Sequence, residues 1–129
     1  MKAGTMVGAA LCCALALVAL AALPAAARVP AGVSAKSCSL TDAEINGGLG
    51  ASYVYSLDVR NLDCGKAKKL VKKFHKCRHS NGGRNGHCSS FKGYSCKEHK
   101  LDSSPQLLQA KATCKRGSKK FKQTFGESR

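Results

Sequence analysis

Cys77-x-His79 and His87-Cys88 flank a loop, Asn81 to Gly86, that holds three glycines. In a reduced protein this spacing permits a Cys2His2 zinc site. Zinc needs thiolates, however, and an even set of cysteines in an exported chain is ordinarily oxidised. No metal and no other cofactor is therefore expected. His75, His79, His87 and His99 stand among many lysines, a composition that invites acid–base cleavage of RNA. No Gly-x-Ser-x-Gly, His-Glu-x-x-His or phosphate-loop motif accompanies them. No catalytic residue is assigned, and a non-enzymatic protein is expected.

The lysines form the third set. Lys66, Lys68, Lys69, Lys72, Lys73 and Lys76 crowd one segment, and Lys115, Arg116, Lys119 and Lys120 crowd another. Together they are the candidate binding residues for an anionic polymer. Lysine presents mobile point charges rather than the planar fork of arginine, which favours contact without chemical selectivity. Envelope glycans, teichoic acid and nucleic acid are all partners of this kind. Base-specific nucleic-acid recognition is not expected: Trp is absent and no RRM, KH or zinc-finger spacing occurs. Membrane contact is expected only through an N-terminal leader, or weakly through the basic face. The alternative is a cationic secreted toxin, a ribonuclease or a membrane-active agent, since a basic amphipathic helix also suits anionic lipid.

The elements that must position these residues begin after residue 27. Lys2, an uncharged run from Val7 to Leu23, Pro24 and the small residues Ala25 to Ala27 have the order of a cleavable export signal. Residues 1–27 are read as that signal, giving a secreted protein; the alternative is retention by an uncleaved anchor. Removing the one basic side chain of this leader lowers the net charge from +15 to +14. Arg28 to Asp63 carries three basic and four acidic residues, whereas Cys64 to Arg129 carries 18 and three. Residues 28–51 are expected as a mobile polar lead-in, and residues 52–129 as one small basic domain.

Within the lead-in, Thr41-Asp42-Ala43-Glu44 fits a capping box, stopped by Gly47 and Gly48. Ser52 to Arg60 alternates, with Tyr53, Tyr55, Leu57 and Val59 on one apolar face, as in a half-buried strand. Asp63 caps a helix whose stripe is Ala67, Leu70, Val71, Phe74 and Cys77. Gly93 to Lys100 reads as a strand, Leu101 to Gln106 as a turn cluster, and Leu107 to Cys114 and Lys120 to Phe125 as two further strands. In the last pair, Ala110, Ala112, Cys114, Phe121 and Phe125 share a face, with Lys111, Thr113, Lys122 and Thr124 opposite. The order is β-α-β-β-β: an α+β domain in which one amphipathic helix packs on a small, mostly antiparallel sheet.

A domain this small needs staples. Six cysteines remain after the leader: Cys38, Cys64, Cys77, Cys88, Cys96 and Cys114. Cys77 and Cys88 bracket the glycine loop and are expected to pair. A turn centred on Pro105 sets Cys96 opposite Cys114 on adjacent strands. That leaves Cys38 with Cys64; the rival arrangement joins Cys64 to Cys114 and Cys38 to Cys96.

Cys64-Gly65-x-Ala67, Gly93-Tyr94-x-Cys96 and Ala112-Thr113-Cys114-x-Arg116-Gly117-x-Lys119-x-Phe121 form a spaced pattern over Tyr53 to Phe125. It resembles small exported cysteine-containing proteins of actinobacteria for which no activity is known. The Cys77 to Cys88 stretch reads as an elaboration on that pattern. The resemblance implies a fold type and an exported life, and it carries over no catalytic residue.

The leader generates a direct test. Intact-mass measurement of protein recovered from the export medium should find a chain beginning near Arg28; a chain still carrying Met1 to Ala27 would refute the cleavage.

Overall fold

The computed structural model describes residues 34–129; the expected leader lies outside the described residues. The domain is α+β, one main helix against a six-stranded antiparallel sheet. The strands are β1 (Lys36–Ser37), β2 (Tyr53–Arg60), β3 (Ser90–Phe91), β4 (Tyr94–Ser103), β5 (Leu107–Arg116) and β6 (Lys119–Ser128). Helix α1 (Cys64–Ser80) lies between β2 and β3 in the chain. Across the sheet the order is β1-β2-β6-β5-β4-β3. The expected β-α-β-β-β order holds for the long elements, and β1 and β3 are two-residue additions at the edges.

Helix α1 starts where Asp63 accepts a hydrogen bond from the Lys66 amide at 3.1 Å, which satisfies one of the free donors of the first turn. Its buried side chains are Ala67, Val71, Phe74, His75 and Arg78. That spacing is a helical stripe, rotated slightly from the expected one: Leu70 and Cys77 are half-buried. Two polar residues, His75 and Arg78, take inward positions that their residue types disguise. Phe74 meets Phe125 at 6.2 Å and Phe91 at 6.1 Å between ring centroids. Val54, Leu57, Val59, Ala112, Cys114 and Phe121 complete the floor.

Strand β2 departs from simple alternation. Its register on β6 shifts between Val54 and Ser56. The extra residue resets the period of two, so Val54, Leu57 and Val59 point inward. Tyr53 and Tyr55, expected on the apolar face, are instead exposed and stack on each other at 6.1 Å. Two expected boundaries also move. Strand β4 runs on through Leu101 to Ser103, with a shift between Lys100 and Asp102, and β6 continues past Phe125 to Ser128.

The segment before β2 is not a loose lead-in from Lys36 onward. The capping box forms: Glu44 Oε2 accepts from the Thr41 amide at 2.9 Å, and Thr41 Oγ1 accepts from the Glu44 amide at 3.3 Å. The chain then makes one wide helical turn, Glu44–Gly48, and buries Leu49 and Ala51. Cys38 is bonded to Cys64, Cys77 to Cys88 and Cys96 to Cys114. The rival pairing is thereby excluded. Such bonds belong to an oxidising, non-cytoplasmic setting. Among the described residues no helix is long and apolar enough to cross a membrane.

The glycine loop folds back against the end of α1 and approaches it closely. A Cβ on Gly86 would lie 2.0 Å from the Arg78 carbonyl oxygen and 2.9 Å from that of Asn81. Neither is a flexible side-chain end. Gly86→Ala should therefore cost about 2 kcal/mol or more, read as a lower midpoint in urea unfolding. A midpoint equal to wild type would show that this approach is not tight.

Candidate functional site

The inward stripe of α1 divides its lysines between two flanks. On one flank a groove of about 270 Å³ has a floor of Leu62, Leu70 and Tyr94. Its walls are Lys66, Lys69 and Lys73 from the helix, Lys92 from the β3–β4 turn, and Arg116 and Lys119 from the β5–β6 turn. No carboxylate lines it. The Lys92 ammonium beside Lys73 holds the Lys73 pKa below the ordinary lysine value, with Lys69 adding to the effect.

Lys92 reaches the groove from a turn that does not favour it. Lys92 and Gly93 both have positive φ, 47° and 77°. A two-residue turn of that kind prefers Asn-Gly, because asparagine tolerates the left-handed region better than lysine. Arg116 steadies the turn: its Nη1 donates to the Lys92 carbonyl at 3.4 Å.

The expected binding residues do not form one continuous surface. Lys66, Lys69, Lys73, Arg116 and Lys119 come together in the groove. Lys68 lies on the other flank and pairs with Glu44 at 2.8 Å; Lys72 shares that flank, one turn on. Lys76 is exposed but does not line the groove. Lys115 and Lys120 stand opposite each other on the outer sheet face, away from the helix. Three lysines of that outer face, Lys97, Lys111 and Lys122, escaped the candidate set although alternation points them outward. Lys92 also escaped it. The available signal was Lys92-Gly93 between two aromatic residues, a hairpin turn.

At the C-terminal end of α1 lies a network the lysine pattern gives no hint of. Arg78 is 1% exposed. Its Nε donates to Glu98 Oε2 and its Nη1 to Glu127 Oε1, each at 3.0 Å, while Nη2 donates to the Arg84 carbonyl at 3.3 Å. The guanidinium carbon sits 4.5 Å from the Phe125 ring centre. Glu127 Oε2 accepts from the Ser52 amide and hydroxyl at 3.2 and 3.1 Å, and its Oε1 from His79 Nε2 at 2.9 Å. Glu98 Oε1 accepts from the Cys88 amide at 2.9 Å.

Two of the three carboxylates beyond Cys64 are thus spent inside the domain. Burial alone would raise the Glu127 pKa, but the His79 bond and the Ser52 amide outweigh it and hold it below the usual carboxylate value. His75 behaves oppositely. Desolvation pushes its pKa down to about 4, and Arg78 and His79 add to this, against the Gln123 bond and the Glu127 charge. Its Nε2 meets Gln123 Oε1 at 3.0 Å. Its Nδ1 is 3.9 Å from Glu127 Oε1, beyond hydrogen-bond reach. Only His75 and His79 approach each other, at 6.4 Å between ring centroids; His87 follows the glycine loop and His99 lies on the outer sheet face. The sulfurs of the weighed zinc set are bonded to each other, so that set offers no thiolate.

The network makes stability pH-dependent with a definite sign. Above about pH 6.5 His75 is neutral whether the chain is folded or unfolded. Between 6.5 and about 4 the unfolded chain takes up a proton that the folded chain refuses, so stability falls as pH falls. Glu127, with its pKa depressed, adds a second loss below about pH 4.5. Denaturant unfolding at a series of pH values should show stability dropping by on the order of 3 kcal/mol from pH 7 to pH 4. In His75→Gln the loss between pH 6.5 and 4.5 should flatten; an unchanged curve would clear His75 of this role.

Comparison with family models, curated proteins and solved structures finds no match for the chain.

Proposed function

We propose that the protein is a secreted, non-enzymatic basic domain that binds anionic polymers of the cell envelope or its surroundings. The observation that carries this is the groove beside α1: six cations around an apolar floor with no carboxylate among them. Like charges at helical and cross-strand neighbours cost a few tenths of a kcal/mol per pair, so clustering without counter-charge disfavours the free protein. A polyanion removes that repulsion and releases its own condensed counterions on binding. Solubility alone calls for less charge than this chain carries. The turn at Lys92 points the same way, since a lysine stands where asparagine would relieve the backbone.

The binding is electrostatic and chemically broad. The groove has no aromatic row for stacking bases and offers one arginine, so phosphate, sulfate and carboxylate polymers are all suitable partners.

Heparin serves as the probe. The protein should be retained on a heparin column at 50 mM salt, and its affinity should fall steeply and log-linearly as salt rises. Acetylation of lysines with and without heparin, read by mass spectrometry, locates the contact. Lys73 and Lys92 should be protected several-fold, whereas Lys72 on the other flank should not. Lys92→Asn should weaken retention while raising the melting temperature, because the turn relaxes by about 0.5–1 kcal/mol. Failure to bind at 50 mM salt would overturn the function. Retention without protection of Lys73 and Lys92 would overturn the groove as its site.

A further inference from the structure

We infer that the outer face of the sheet is a second, independent polyanion surface, so that one molecule bridges two polymer chains. This rests on the polyanion reading of the groove and extends it. Helix α1 covers one side of the sheet, and among the described residues no element packs on the other. The side chains that alternate outward there include Lys97, Lys111, Lys115, Lys120 and Lys122. The acidic residues on that face are Asp58, opposite Lys122, and Asp102, opposite Gln109 towards the far end of β4.

The register concentrates the charge. Lys115 stands opposite Lys120, and Lys120 opposite Arg60, so three consecutive strands present cations in one row. Directly opposed like charges destabilise a sheet. Neighbouring strands are about 4.8 Å apart, which puts these charges well within a Debye length of one another. Thr113 is flanked across the strands by Lys97 and Lys122 and along β5 by Lys111 and Lys115, which carry the positive field along the face. A flexible anionic chain laid across the strands meets these charges without needing a cleft.

The groove and this face look in opposite directions, with the sheet between them, and they adjoin at the β5–β6 turn, where Lys115 neighbours Arg116 and Lys120 neighbours Lys119. Two arrangements are therefore open to a bound polymer. A single chain can pass round that turn and touch both surfaces, or two chains can each take one. The shape favours the second for any short or stiff polymer, since the first demands a reversal of direction around a two-residue turn.

Stoichiometry separates these cases. Isothermal titration of the purified protein with a heparin tetrasaccharide, too short to reach round the turn, should give two bound fragments per molecule. Lys111→Gln/Lys115→Gln/Lys122→Gln should give one, and so should Lys69→Gln/Lys73→Gln/Lys92→Gln. Long heparin near charge equivalence should make the wild type turbid and clear again in excess polymer, when each molecule is singly bridged. Both triple variants should lose at least tenfold of that turbidity. Lys36→Gln/Lys72→Gln/Lys100→Gln removes the same charge from neither surface and should keep it, which excludes simple neutralisation. A wild type that binds one tetrasaccharide, or a control variant that loses turbidity equally, would overturn bridging and leave the groove standing. Absence of any tetrasaccharide or heparin binding would overturn the proposed function with it.

Discussion

The buried guanidinium of Arg78 is the point on which the molecule's organisation turns. It joins the last turn of α1 to β4 through Glu98, to β6 through Glu127 and to the glycine loop through the Arg84 carbonyl. Burying such a group is tolerable only when nearly every donor is met. Here the carboxylates are themselves fixed by the Ser52 hydroxyl, the Ser52 and Cys88 amides and His79. Removing one partner would leave an uncompensated buried charge, a loss of about 3–5 kcal/mol in comparable sites. The Cys77–Cys88 bond closes the same region covalently.

This arrangement also governs the outside of the domain. Each carboxylate drawn inward is one fewer to neutralise a surface lysine. Glu98 and Glu127 serve Arg78, Glu44 serves Lys68, and Asp63 caps α1. The groove lysines are thus left beside one another, and the same holds for most of the outer sheet face. The surface charge is a consequence of how the interior is paired as much as of lysine content. Three disulfides and a core of Phe74, Phe121 and Phe125 offset the repulsion that results.

How much of this was legible depended on whether a residue's type agreed with its place. Asp63, the alternation from Ala110 to Phe125 and the even cysteine count all reported their roles directly, and the helix, the hairpin and three disulfides followed, whereas the choice between Cys38 and Cys114 as the partner of Cys64 needed the structure. Tyr53 and Tyr55 misled because a bulge changes facing without changing composition. His75 and Arg78 misled because charge and polarity ordinarily mark surface. Their burial becomes reasonable only with partners elsewhere in the chain: Gln123 on β6 and Glu127 beyond the last expected strand, some fifty residues away, and Glu98 on β4, about twenty away. Eight of the ten candidate binding residues are exposed and Lys68 and Lys120 are half-buried, yet sequence could not say that they divide between the groove, the rest of the α1 surface and the outer sheet face, since that depends on which way each turn delivers its neighbours.

The borders of the sheet bear on what happens when many copies are held together. β1 and β3 are two residues long, and the part of β4 that β3 leaves open carries Lys97, Glu98, His99, Lys100 and Asp102 with a register shift among them. A charged, irregular border is a poor template for another strand. Crowding therefore raises the density of folded domains without offering a backbone seam along which they could zip. Copies gathered at high local concentration should remain discrete and separable, and the gathering reversible, rather than passing into cross-β fibres.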